Sequence, residues 1–121
     1  MSLQKLISRK GMSEILFQLI EGDKTFTQIR EATRLSMSNI LARLREAEAH
    51  GLIERKVKAK GLRVEVKYGL STKGKEVINN LLNHERLAKL FQECKELKRR
   101  IAEIEEEILQ ALREQEFEQF V

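Results

Sequence analysis

The sequence contains no proline and no tryptophan, and only 5% of its residues are aromatic, while 35% are charged. That balance disfavours a sheet sandwich with a large aromatic core and favours a helix-rich, strongly ionic protein. Cys94 is the single cysteine, which excludes an intramolecular disulfide and a cysteine metal cluster within the chain. The two histidines, His50 and His84, lie too far apart to form a ligand pattern, so neither a metal nor a cofactor is expected. Long apolar runs are missing as well. Met1 to Lys10 interleaves Leu3, Leu6 and Ile7 with Gln4, Lys5, Arg9 and Lys10, which suits neither a secretion signal nor a membrane span. A cytoplasmic protein with no membrane partner is expected. No nucleophile and base pair and no phosphate-binding loop is legible, so an enzyme is not expected.

What is present is charge, unevenly placed. Residues 1–75 carry 16 Lys/Arg against 8 Asp/Glu, net +8, whereas residues 76–121 carry 7 against 11, net −4. A basic front joined to an acidic back suggests that the front half meets a polyanion. With 121 residues, 41% of them hydrophobic, the chain has room for one domain, expected over 1–75, and an extension over 76–121.

The stretch Leu35 to Ile53 reads as one short amphipathic helix with both ends marked. Ser36 or Ser38 can cap its first turn, and Gly51 can take the left-handed conformation that closes it. On a helical wheel Ile40, Leu44 and Ala47 share a narrow apolar face. Ser38, Ala42, Arg45 and Ala49 point the opposite way, flanked by Asn39, Leu41 and Arg43. A helix anchored on one side, with short side chains and arginines on the other, has the shape that enters a DNA major groove.

Upstream, Leu3, Leu6 and Ile7 suggest a short helix ended by Gly11. Met12, Ile15, Leu16, Leu19 and Ile20 then predict a full helix that stops near Gly22-Asp23, with Phe17 widening its apolar face. Thr25-Phe26-Thr27-Gln28 has the spacing of a capping box, with Thr25 as cap and Thr27 as the alternative. Ile29 and Ala32 would face inward from the helix it opens. Helix, helix, tight turn, helix is the helix-turn-helix order.

The period then changes. Leu62, Val64, Val66, Tyr68 and Leu70 alternate with Arg63, Glu65 and Lys67, as a half-buried strand requires, and Ile53, Val57 and Ala59 do the same upstream. With Lys60-Gly61 as the hairpin tip, residues 52–70 predict a two-stranded basic wing whose apolar face leans on the three helices. It carries Arg55, Lys56, Lys58, Lys60, Arg63 and Lys67.

Ser71 or Thr72 can cap the last helical segment, which meets only Gly74, in its first turn, as an interruption. Continuous from Thr72 to Glu118 it would span roughly 70 Å, with Asn79-Asn80 and Asn83-His84 as the places for a bend. Leu87, Leu90, Cys94, Leu97, Ile101, Ile104, Ile108 and Ala111 recur at spacings of three and four, a coiled-coil seam of about four heptads. Glu93, Lys98, Arg100, Glu105 and Glu107 flank it with alternating sign and can pair across a partner helix. The residues leave open whether two such helices run parallel or antiparallel. Phe117 and Phe120 would cap the stalk or pack on the partner's globular part.

With these residues placed, Ser8 to Val77 resembles winged helix-turn-helix transcriptional regulators, most closely the HxlR family and more distantly MarR, PadR and ArsR proteins. The matching residues are Ser8-Arg9-Lys10, Phe26-Thr27-Gln28-Ile29-Arg30, Leu35-Ser36, Arg43-Leu44-Arg45-Glu46, Gly51-Leu52-Ile53-Glu54-Arg55 and Tyr68-Gly69-Leu70-Ser71-Thr72-Lys73-Gly74. The wing lacks the prolines usual in HxlR proteins, and the N-terminal cysteine that some of them use for sensing is absent. The long C-terminal helix exceeds the HxlR pattern and looks like the antiparallel dimer stalk of small archaeal winged-helix DNA-binding proteins, a likeness of architecture alone.

The expected fold is therefore mainly α (α+β): a winged helix-turn-helix with a two-stranded β wing and a long C-terminal coiled-coil helix. The expected function is sequence-dependent binding of double-stranded DNA as a homodimer, as a transcriptional regulator. In this fold the resemblance implies that Met37 to Ala42 meet base edges. The expected DNA-binding residues are Ser36, Met37, Ser38, Asn39, Leu41, Ala42, Arg43 and Arg45 of the helix and Arg55, Lys56, Lys58, Lys60 and Arg63 of the wing, the wing cations holding phosphates. Leu41 is either a contact to a thymine methyl or part of the core flank. Leu87, Leu90, Cys94, Leu97, Ile101, Ile104 and Ile108 are the expected dimerisation residues, Cys94 as plain packing. An architectural chromatin protein with little sequence preference and a winged-helix protein-interaction module are the alternatives. Nothing in the residues resembles a pocket for a small-molecule effector.

Overall fold

The computed structural model describes residues 2–115, so Phe117 and Phe120 lie outside the described residues. In chain order the elements are α1 (Leu3–Ile7), α2 (Met12–Gln18), β1 (Lys24–Thr25), α3 (Phe26–Thr33), α4 (Met37–Ala49), β2 (Ile53–Lys60), β3 (Arg63–Leu70), α5 (Thr72–Leu82) and α6 (Glu85–Glu114). The chain divides into two compact units, Met1–Asn80 and Leu81–Val121, so α5 spans the boundary that composition had suggested at 75/76.

The first unit is a mainly helical domain with a small sheet. Its core is Leu6 from α1, Met12, Ile15 and Leu16 from α2, Ile29 from α3, Ile40, Leu44 and Ala47 from α4, and Leu52, Ile53, Leu70 and Ile78 around the sheet and α5. Helix α2 packs against α3 and α4, and α4 in turn against β2. Local chemistry fixes the helix starts. The Gln28 amide donates to Thr25 Oγ1 at 3.2 Å while the Thr25 amide donates to Gln28 Oε1 at 2.9 Å, a reciprocal capping box that satisfies two otherwise unpaired donors. Ser36 accepts from the Asn39 amide at 3.2 Å, and Ser71 Oγ accepts from the Gly74 amide at 3.0 Å. Helix α4 ends as expected, with Gly51 at φ +72°.

Four expectations need correction. Helix α2 ends at Gln18, four residues early, because Leu19, Ile20 and Gly22 donate to carbonyls only three positions back. Leu19 stays buried, but Ile20 is exposed. The sheet has three strands in the order β1-β3-β2, all antiparallel, since Lys24 and Thr25 pair with Tyr68 and Lys67. The hairpin tip is Gly61-Leu62, one residue later than expected, with Lys60 opposite Arg63 and Gly61 at φ +60°. Only the wing's base is covered by helices. Ile53 and Leu70 are buried there, whereas Val57 and Val64 are exposed farther out.

The second unit holds α6, a single helix of 30 residues, about 45 Å long at the standard rise. The helical run is not continuous: α5 stops at Leu82 and α6 begins at Glu85 with His84 as an extended N-cap. The break falls at Asn83-His84, one of the two sites the sequence marked. No residue of α6 is buried, and its whole stripe from Leu90 through Leu97, Ile101 and Ile104 to Ile108 is exposed, with Leu109 and Leu112 beside it. Among the described residues nothing covers that stripe.

Candidate nucleic-acid interface

Helix α4 is held from one side. Ile40, Leu44 and Ala47 are buried in the core, which turns Ser38 and Arg45 to solvent and leaves Asn39, Leu41 and Ala42 half-buried at the edges. Met37, at the N-terminal end, is also exposed. Ser36 spends its hydroxyl on the cap of this helix, so its first role is to fix the helix start.

The two arginines of α4 behave differently. Arg45 is exposed. Arg43 is only 13% exposed and its Nη2 lies 3.2 Å from Glu46 Oε1, the same oxygen that Arg9 Nη1 reaches at 3.3 Å from the end of α1. Arg43 Nε is buried without a hydrogen-bond partner. Its guanidinium is thus committed to a carboxylate one turn away that also holds Arg9 of the turn between α1 and α2, leaving Arg45 as the cation on the open face.

In the wing, register decides which cations act together, because residues directly opposite on paired strands share a face. Lys56, Lys58 and Lys60 face Lys67, Glu65 and Arg63 respectively, which makes one polar face. Arg55 lies opposite Tyr68, on the other face with Val57 and Val64. Lys67 is a cation that the site expected from the sequence did not include. The signal was available in the period-two alternation, since it falls in step with Arg63.

Several of these cations already have anions. Lys56 Nζ is 2.9 Å from Asp23 Oδ2, at the base of the wing; that hydrogen bond raises the Lys56 pKa above the ordinary lysine value. The Asp23 carboxylate lies over Gly69, where a Cβ would stand 2.0 Å from Asp23 Oδ1. Glu65 draws Lys60 to 2.9 Å and Lys67 to 3.4 Å, and the Lys60 hydrogen bond holds the Glu65 carboxyl below the usual carboxylate range. A lowered acid pKa means that the ionised form is favoured by the fold. This contribution is present above the ordinary carboxylate pKa and is lost as pH falls through the lowered one. In a side-chain NMR titration Glu65 is expected to titrate below the usual carboxylate range, and Lys60→Ala should move its midpoint upward. Among the described residues, Lys58 and Arg63 enter no ion pair, nor does Arg55 on the other face of the wing. Lys58, Arg63 and Arg45 are the uncommitted cations of the polar wing face and of α4.

Among the described residues there is no group of three or more His, Cys, Asp or Glu placed to hold a metal ion, and no helix is long and apolar enough to cross a membrane.

A family model for HxlR-like helix-turn-helix proteins matches residues 6–94, which takes in the whole first unit beyond Lys5 and the first third of α6. No curated protein matches the sequence. Among solved structures, the diamide-treated YodB from B. subtilis is 26% identical, with a TM-score of 0.64 over 75% of this chain and 95% of that one. A putative HTH-type transcriptional regulator, ytcD, is 27% identical, with a TM-score of 0.62 over 79% of this chain and 96% of that one. Bacillus subtilis PadR, solved in complex with operator DNA, shares the fold at 20% identity, with a TM-score of 0.54 over 61% of this chain and 47% of its own.

Proposed function

This chain belongs to the HxlR-like helix-turn-helix family, and from that membership we propose that it is a transcriptional regulator that binds double-stranded DNA as a homodimer, with sequence preference read by α4. The observation that carries the reading is the pairing of two surfaces. An α4 face of Ser38 and Arg45, with Ala42 half-buried at its edge, looks away from the core, and the neighbouring wing projects Lys58 and Arg63 without ion-pair partners among the described residues. The first surface suits base edges and the second suits phosphates. That PadR, of the same fold, was solved with operator DNA is in keeping with this use. The +8 of residues 1–75 supplies the field that draws the domain to a duplex. The dimer rests on the exposed stripe of α6, since apolar residues of that size favour burial by about 1.5–3 kcal/mol each.

The test is a salt series of binding titrations on a random duplex and on the DNA upstream of the protein's own gene. A large gap between the two supports the regulator. Equal affinity would mean an architectural protein, and binding to neither would leave an interaction module. Two substitutions sharpen it. Arg45→Ala should cost about 1–3 kcal/mol on the preferred duplex and relax specificity there. Lys58→Ala should weaken all duplexes alike and lower the salt slope by about one. Identical, sequence-independent losses from both would remove the base-reading role of α4.

A further inference from the structure

The seam of α6 has a second pattern beside it. One position past the seam residues Leu90, Leu97, Ile104 and Ala111 stand Phe91, Lys98, Glu105 and Leu112, so this flank reads apolar, basic, acidic, apolar. The opposite flank, one position before Leu87, Cys94, Ile101 and Ile108, reads Arg86, Glu93, Arg100 and Glu107. Leu112 is half-exposed beside Leu109. Arg100 Nη1 reaches Glu103 at 3.3 Å and Glu107 at 3.8 Å along its own helix, which places the charges of that flank at the edge of the stripe.

Two parallel helices oppose the first flank of one copy to the second flank of the other. Glu93 would then meet Lys98 and Arg100 would meet Glu105. But Phe91 would lie against Arg86, and Leu112 against Glu107. Antiparallel helices oppose like flanks, and one register matches the seam from Cys94 to Ala111 together with its flanks, leaving Leu90 opposite Gln115. With Ile101 facing Ile104 of the second copy, Leu97 faces Ile108 and Cys94 faces Ala111. Phe91 then meets Leu112, Lys98 meets Glu105, and Arg100 meets Glu107. Glu93 against Glu114, at the exposed ends of the helix, is the one like-charge opposition. One heptad away in one direction the same arrangement sets Arg100 on Arg100 and Lys98 on Lys98, and one heptad in the other sets Glu105 on Glu105 and Glu107 on Glu107.

Resting on the proposal that the chain is a homodimer, we infer that α6 binds a second copy of itself antiparallel in this register, with the twofold axis between Ala102 and Glu103. Charge complementarity and the two apolar outliers select it together. The two Cys94 side chains are then about 25 Å apart along the stalk, at 1.5 Å per residue, and cannot form a disulfide with each other. Each instead lies beside Ala111 of the other copy.

The full chain tests this directly. On mild oxidation the unaltered protein should remain free of covalent dimer, and Ala111→Cys should give a disulfide between the introduced thiol and Cys94 of the second copy. Lys98→Glu turns two symmetry-related attractions into repulsions and should raise the dimer dissociation constant about tenfold. Adding Glu105→Lys should restore it. In a parallel stalk the added change would weaken the dimer further, because both charge pairs would then be alike in sign. A Cys94 to Cys94 disulfide in the unaltered chain, a dimer in which neither protein cross-links, or a double substitution worse than the single one overturns the antiparallel register while leaving the dimer. A full-length chain that stays monomeric overturns the dimer itself and this register with it.

Discussion

Gly74→Ala is expected to destabilise the domain by about 3 kcal/mol or more, although helix propensity alone predicts a gain. Gly74 is in the first turns of α5, where replacing glycine by alanine ordinarily stabilises a helix by about 1 kcal/mol. Here an added Cβ would stand 2.0 Å from the backbone carbonyl oxygen of Leu52 and 3.3 Å from Leu70 Cδ2. The obstacle is backbone, and that carbonyl is itself occupied: it accepts from the Ser71 amide at 3.0 Å. Relief requires α5 to lift away from the junction of α4 and β2, opening contacts around Leu52, Leu70 and Ile78, all buried. Overpacking of this kind costs about 1–3 kcal/mol, occasionally more, even where side chains can yield. Urea or thermal unfolding of the variant beside Lys75→Ala, an exposed position of the same helix, measures it. Equal stabilities would mean that α5 is not seated on Leu52.

The same residue shows where sequence reading succeeds. Elements with chemically marked ends were legible: Ser36 and Gly51 bound α4, Thr25 and Gln28 open α3, and the alternation from Leu62 to Leu70 announced β3. Gly74 was legible as an interruption in a helix, but not as a contact, because its partner lies 22 residues upstream. Arg43 shows the same limit at the site. The helical wheel places it on the flank of α4, yet its commitment depends on Glu46 and on Arg9, which comes from the turn between α1 and α2. Two-residue β1 has no period to read. It exists because the open edge of β3 accepts it and because Asp23, just before it, is held by Lys56.

The wing was misread for a related reason. Alternation tells which residues share a face, and Val57, Val64 and Leu70 do share one. It does not tell how far the core reaches along that face. Seven successive residues from Glu54 to Lys60 are exposed, so the strands outrun the helices that cover their base. Lys58 and Arg63 therefore stand exposed beyond the helices, and because Glu65 is taken by Lys60 and Lys67 they are suited to a phosphate backbone.

Ile101→Lys in the full chain is expected to give a folded monomer and the largest loss of DNA binding of any single change outside the interface itself. Ile101 lies at the centre of the stripe and is exposed within one chain, so lysine there costs the isolated helix nothing in packing. In a dimer of either polarity two ammonium groups would be buried in the seam, and each would also forfeit the apolar burial of isoleucine, about 1.5–3 kcal/mol. No residue of α6 is buried, so the three helices and the wing should keep their stability, and a chain ending at Asn83 should behave likewise. A dimer engages two half-sites, and its second contact is effectively intramolecular, an advantage of roughly 100- to 10,000-fold that the monomer forgoes. Sedimentation of each protein beside titration on the preferred duplex separates the two effects. If Ile101→Lys leaves the mass of the dimer unchanged, the partner surface lies in the first unit. If it gives a monomer that binds as tightly as the parent, one winged domain suffices for DNA and the stalk serves another purpose.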